Sequence, residues 1–309
     1  MPKEITHWLV AEQAMRELEW ERQNGDQAFV QQSLVRLGAV FPDAPYYTLG
    51  GKRPRALQLA DRLHGALGED TFDIVQDCIA VIRQTSHEDS FSQSFRDFLF
   101  GAITHICTDV IFHPFVYFWS GDVRTNFHCA WRNHRAFESA LDLVFCKEFG
   151  VHPDSFSLAQ DLHHCTPVLA GILAHVPSIV PFHKEILSGY STMATVRRLG
   201  ANAPLGWLLD RVESALPISW QFYTALRYTT DRGLDAKKMY KFQHPVTGEL
   251  DFTSFQTLFD ASVQESVRVW GQVERCLASG EAFEERGKSL EVGLAGIASS
   301  EMRYFVAFV

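Results

Sequence analysis

"HICTDVIFHP", residues 105–114, sets His105, Asp109 and His113 four residues apart in an otherwise apolar, aromatic run. Four residues carry an α-helix one turn plus ~40° further, so this spacing predicts a helix with all three on one face. The neighbours Ile106, Val110, Ile111, Phe112 and Phe115 mark the surroundings as core. Polar groups are costly to bury without partners, so the row requires either other side chains or metal ions. His105 and His113 lie roughly 12 Å apart along the axis at ~1.5 Å per residue. Zinc–nitrogen bonds are only ~2 Å long, which argues against one ion held by both histidines. Either the row serves at least two ions, with Asp109 placed to bridge, or it is a hydrogen-bonded core feature. Pro114 disfavours helical geometry at His113, so the helix is expected to kink or end there and turn His113 toward another partner.

A partner set follows in "NHRAFESALD", 133–142, where His134 and Glu138 share one helical face at i, i+4. His128 competes, but it falls on a different face and lacks a carboxylate at the matching offset. Upstream, Asp43 sits in the loop "PDAPYY", His64 closes a short helix in "ADRLHG", and His7 lies in "ITHW". Imidazoles with carboxylates form a zinc-compatible ligand set, and no thiolate cluster competes with it. The remaining histidines read blandly. His87, His152, His175 and His183 are expected as satisfied core residues, His163 and His164 as structural or exposed, and His244 before Pro245 as a turn element. The basic loop Lys52, Arg53 and Arg55 reads as a solvated surface.

Working outward, apolar spacing is helical almost throughout. Phe29, Val30, Leu34 and Leu37 form one stripe ending at Gly38; Leu57, Ala60 and Leu63 form another ending at Gly65. Further stripes run through Phe72–Ile82, through Phe137–Phe145 up to Gly150, and through 253–276. No alternating strand pattern stands out, and "FPDAPYYTLGGKRPR" (41–55) and "KFQHPVTGELDF" (241–252) read as Gly- and Pro-rich connections. The expected class is all-α. A chain of 309 residues with 46% hydrophobic content can bury a large core. No uninterrupted apolar run approaches the ~18 residues of a membrane span. The six cysteines are scattered, without a CxxC pair, and read as reduced core thiols. No basic region followed by an apolar stretch opens the chain, so the expected location is cytoplasmic. A net charge of −9 disfavours nucleic acid and anionic membrane as partners, although bound cations would reverse the sign locally.

Taken together, "ITHW" (5–8), "FPDAPYY" (41–47), "RLHG" (62–65), "GAITHICTDVIFHP" (101–114) and "HRAFE" (134–138) resemble the zinc-dependent phospholipase C family. That fold is shared with fungal single-strand nucleases. The resemblance covers about residues 4–145 and implies a helical zinc-binding core over 1–150, with 151–309 as a helical extension packed on it as one domain. It implies two or three zinc ions. Asp43, His64, His105 and Asp109 would hold one, and His113, His134 and Glu138 a second. Asp109 would bridge to a third ion bound by His7. In secreted members the N-terminal amine completes that third site; here methionine removal would leave the amine of Pro2. The implied activity is hydrolysis of a small phosphodiester or phospholipid head group by metal-activated water, with Asp43 orienting the water or acting as general base. Tyr46, Tyr47 and Phe115 are candidates for the pocket wall or the core. The alternatives are a nuclease on the same fold and a non-enzymatic, metal-stabilised helical protein.

Overall fold

The computed structural model describes residues 3–20, 26–85, 90–122, 124–125, 127–200 and 234–306. Among these, the chain forms α1 (Glu4–Glu17), α2 (Asp26–Gly38), α3 (Arg53–Leu63), α4 (Asp73–Ile82) and α5 (Ser90–Ser120). It continues through α6 (Phe127–Glu148), α7 (Leu158–His175), α8 (His183–Gly200) and α9 (Phe255–Ser279). The only sheet among the described residues is a hairpin of β1 (Tyr240–Gln243) and β2 (Leu250–Thr253). The class is all-α, as the periodicity indicates.

The 31-residue α5 is the central element, in contact with α1, α2, α4, α6 and α9. A helix covered on every side is apolar all round, which explains its run of Phe, Ile and Val. By length and composition α5 could cross a membrane, but 89% of its most apolar stretch is buried inside the fold. One close crossing fixes its position. A Cβ at Gly101 of α5 would collide with the Val35 carbonyl, and a Cβ at Gly38 of α2 with the Phe98 carbonyl. The two glycines therefore let the backbones of α2 and α5 touch. That contact brings the end of α2 and the loop after it down onto the polar row of α5. From the other side, Tyr190 of α8 donates to the Leu37 carbonyl at 2.6 Å and Thr48 to the Glu185 carbonyl at 2.9 Å. These bonds clamp the 41–48 loop, and Asp43 with it, between α2 and α8. The main buried cluster draws from α1 through α9 and on to Phe283 and Leu290.

Two expectations are corrected: that α5 could end at His113, and that 241–252 is a plain connection. The helix does not end at His113: α5 continues through Pro114 to Ser120. Proline removes the amide that would bond the Val110 carbonyl, and the chain at Gly293 packs against that carbonyl and against the Pro114 ring. Packing on all sides of α5 thus holds the last turns together. The second correction concerns "KFQHPVTGELDF", which is not a plain connection. It folds as an antiparallel hairpin with Tyr240 opposite Thr253 and Gln243 opposite Leu250. Its strands are four residues long and largely exposed, so alternation has almost no length over which to register. Phe242 and Tyr240 anchor it, both packing on Phe115 in a cluster with Phe255. Phe115 is accordingly core.

Candidate metal centre

Five elements deliver the eight singled-out ligands to one buried region. α1 carries His7, Asp43 precedes the 3-10 turn Ala44–Tyr47, and His64 caps the C-terminus of α3. α5 supplies His105, Asp109 and His113, and α6 supplies His134 and Glu138. They gather into three groups: His7 with His105 and Asp109; Asp43 with His64 and His105; and His113 with His134 and Glu138. Within each group the ligand atoms lie within 4.8 Å of one another, and all eight residues are buried. Asp109 turns Oδ1 to His7 Nε2 at 3.2 Å and Oδ2 to His105 Nε2 at 3.0 Å. His64 Nε2 stands 3.3 Å from Asp43 Oδ1, and His134 Nε2 stands 2.6 Å from Glu138 Oε1. His105 and His113 fall in separate groups, as their axial separation on α5 requires. His105 is shared by the first two groups, a role that spacing alone did not assign.

Backbone carbonyls set the orientation of three imidazoles. Nδ1 lies 2.8 Å from the Ala60 carbonyl in His64, 2.8 Å from the Ala39 carbonyl in His105 and 2.6 Å from the Leu290 carbonyl in His113. An Nδ1–H donating to a carbonyl leaves Nε2 as the lone-pair nitrogen and aims it into the group. His7 is positioned differently. Asp142 of α6 accepts from the Ile5 amide at 3.0 Å, the Thr6 amide at 2.9 Å and the Thr6 hydroxyl at 2.7 Å. α1 has no side-chain cap of its own, so Asp142 supplies the acceptor that its N-terminal amides require, although burial and the nearby Glu4 push its carboxyl up to about 7. Glu138 is held by Arg135, whose Nη1 reaches Oε2 at 3.3 Å while its guanidinium lies over the Trp131 ring.

The electrostatics favour the ligating protonation states. Burial pushes His113 well below the ordinary histidine range and His134 down to about 4. Burial and the neighbouring His105 lower His7. Burial also opposes charge on His105, but the adjoining Asp109 outweighs it and raises His105. Asp109 is held well below the usual carboxylate range, against its burial, by His105, His113 and His7. Glu138 is likewise depressed against its burial by interactions that include His134 and the Arg135 guanidinium. Anionic carboxylates beside mostly neutral imidazoles are what a divalent cation needs.

The decisive observation is that, apart from the paired His134 and Glu138, these atoms converge without all satisfying one another. His7 Nε2, His105 Nε2, His113 Nε2, Asp43 Oδ1 and both Asp109 oxygens are buried and make no hydrogen bond. Each such orphan costs about 1–3 kcal/mol, more when charged. A cation within each group would satisfy the whole set, and imidazole with carboxylate fits zinc. The residues present therefore fit the metal.

Among the remaining predictions, Pro2, His87 and the side chain of His128 lie outside the described residues. His244 is a turn element, with Nδ1 accepting from the Val246 and Thr247 amides at 3.2 Å each. His163 and His164 are exposed. His152 and His175 are exposed too, and His183 half-buried, so none of the three is the core residue expected. Their ring nitrogens bond local backbone groups instead, as at His175 to Gly171 and His183 to Val180. Tyr46 lies beside His64 and bonds Asp61, whereas Tyr47 is buried in the core. Sequence reading passed over two contributors. Asp142 continues the i, i+4 row of His134 and Glu138, a signal present within the same ten residues. Leu290 acts through its main chain, and no residue type announces that.

A family model described as zinc dependent phospholipase C matches residues 6–187, more than half of the chain. No curated protein and no solved structure matches it. The chain belongs to the zinc-dependent phospholipase C family.

Proposed function

We propose that this protein is a zinc-dependent phosphodiester hydrolase of phospholipase C type, acting on a small phosphodiester or phospholipid head group. The observation that carries this reading is the set of buried, unsatisfied ligand atoms in three adjoining groups, inside the segment matched by the family. Bound zinc supplies Lewis acidity toward a phosphoryl oxygen and acidifies water. The chain's own residues do the rest. Asp109 presents one oxygen to His7 and the other to His105, and His105 is the residue shared with the neighbouring group. His105 and His113 are held in one tautomer by fixed carbonyls, so no reorientation is needed on binding. Asp43 offers a buried oxygen, free of hydrogen bonds, beside His64, and we assign it the orientation of the attacking water or the role of general base. The second half of the chain belongs, in this reading, to the same folding unit, supported by the core that its described residues 151–200 and 234–290 share with α1–α6.

The test begins with elemental analysis of the purified protein, where two or three zinc ions per chain are expected. Hydrolysis of an activated aryl phosphodiester should vanish on chelation and return with zinc. Choline- or ethanolamine-type diesters should be preferred to single-stranded DNA, because the chain carries a net charge of −9. Turnover of DNA without turnover of head-group diesters would replace this reading by a nuclease. Loss of stability on chelation with no hydrolysis of any diester would leave a metal-stabilised protein without activity.

A further inference from the structure

The segment 287–293 follows α9 and lies about a hundred residues beyond the end of the family match, yet it threads between two of the metal groups. Leu290 uses both of its main-chain groups there. Its carbonyl lies 2.6 Å from His113 Nδ1, and its amide donates to the His64 carbonyl at 2.8 Å. One residue thus fixes the ring of a ligand in one group and the backbone of a ligand in another. Ser289, Leu290 and Val292 are fully buried. The turn is closed by the Gly293 amide on the Ser289 carbonyl at 2.8 Å, and by His244 Nε2 at 3.1 Å from the Val292 carbonyl. Val292 does not join the main core. It packs with Tyr117 and Met302 in a small separate cluster. Leu290 joins the main core while Val292 packs outside it, so the strap links the two clusters.

We propose that the main chain of Leu290 is a positioning element of the metal centre, holding His113 and His64 and thereby setting zinc affinity in their two groups. The inference rests on the metal assignment above and not on the reaction. Hydrogen-bond partners behind a ligating histidine fix its tautomer and ring angle, and their loss typically weakens metal binding 10–100-fold. By reciprocity, zinc held by His113 must stabilise the strap that orients it.

Gly293→Ala moves the strap while leaving every ligand side chain intact. Gly293 has φ +69°, and an added Cβ would stand 2.7 Å from the Val110 carbonyl oxygen and 3.1 Å from Pro114 Cγ. Full-length protein labelled with 15N-histidine would be titrated with zinc, each imidazole being followed separately. In the variant, His113, His134 and His64 should need about 10–100-fold more free zinc, with His7 little changed. Equal weakening at His113 and His7, or no weakening at either, overturns the proposal. If the variant does not fold, hydrogen exchange in the wild-type chain decides. Chelation should cost residues 287–293 at least about tenfold in protection while α9 keeps its own. Unchanged exchange at 287–293 refutes the strap's role. Failure of every imidazole to respond to zinc refutes the metal assignment itself, and the proposal with it.

Discussion

Asp109→Asn is the substitution that separates a bridging ligand from a terminal one. Asp109 is fully buried, with Oδ1 at 3.2 Å from His7 and Oδ2 at 3.0 Å from His105. The asparagine is isosteric, but it removes a negative charge and turns one ligating oxygen into a donor. In the bridging role that the family resemblance implies for Asp109, ions in the two groups that include His105 lose support together, whereas His113→Ala removes a ligand from one group alone. An ion present at 100 times its dissociation constant stabilises the fold by about 2.7 kcal/mol. Three such ions would contribute about 8 kcal/mol, His113→Ala would keep about 5 and Asp109→Asn about 3. The assay is denaturant unfolding in zinc-buffered and chelated solution, reading only the zinc-induced difference. Any effect of the substitution on the metal-free fold then cancels. Zinc per chain by elemental analysis should fall in the same order. Equal losses in the two variants would refute the bridging role of Asp109 and the division into groups.

Asp142→Asn should cost about 1–3 kcal/mol by spoiling the buried acceptor of the Ile5 and Thr6 amides, and should weaken zinc binding at His7 first. An NMR titration in which His7 and His134 weaken alike would contradict this. Asp97 gives the pH dependence. Burial pushes its carboxyl from the ordinary 3.8 up to about 7, so the folded chain keeps a proton that the unfolded chain loses. Its contribution is therefore unfavourable as pH rises from about 4 to about 7, by up to about 4 kcal/mol. The stability of Asp97→Asn relative to wild type should climb across that window in urea melts; a pH-independent difference would count against it. Gly101→Ala should destabilise by about 3 kcal/mol or more, since its Cβ meets the Val35 carbonyl. It should also displace the Ala39 carbonyl from His105, seen as an altered His105 resonance. His175→Ala, an exposed position, should leave zinc content unchanged.

Much of the site was legible because its signals are local. Covalent geometry fixes the rise and rotation of a helix, so His105, Asp109 and His113 had to share a face of α5 and could not share one ion. The same holds for His134 and Glu138 on α6, and extending that row by one turn would have found Asp142. The all-α class followed from periodicity sustained over many turns. Where a segment was too short to show a period, as in the four-residue strands at 240–243 and 250–253, reading failed.

Tertiary structure decided what depends on contacts between distant residues. Proline's local preference argued for a break at His113, but packing around α5 and the chain at Gly293 carried the helix on to Ser120. The sharing of His105 between two groups depends on the crossing of α2 and α5 at Gly38 and Gly101, two glycines whose sequence context says nothing of a neighbour. The partners of the histidine rings are main-chain carbonyls at Ala39 and Leu290, 66 and 177 residues away from the ligands they hold. Every residue carries a carbonyl, so composition and spacing cannot mark the one that matters. The sequence by itself determined which side chains can ligate and which share a helical face, because helix geometry is local; only packing decided which of them meet, and what holds them there.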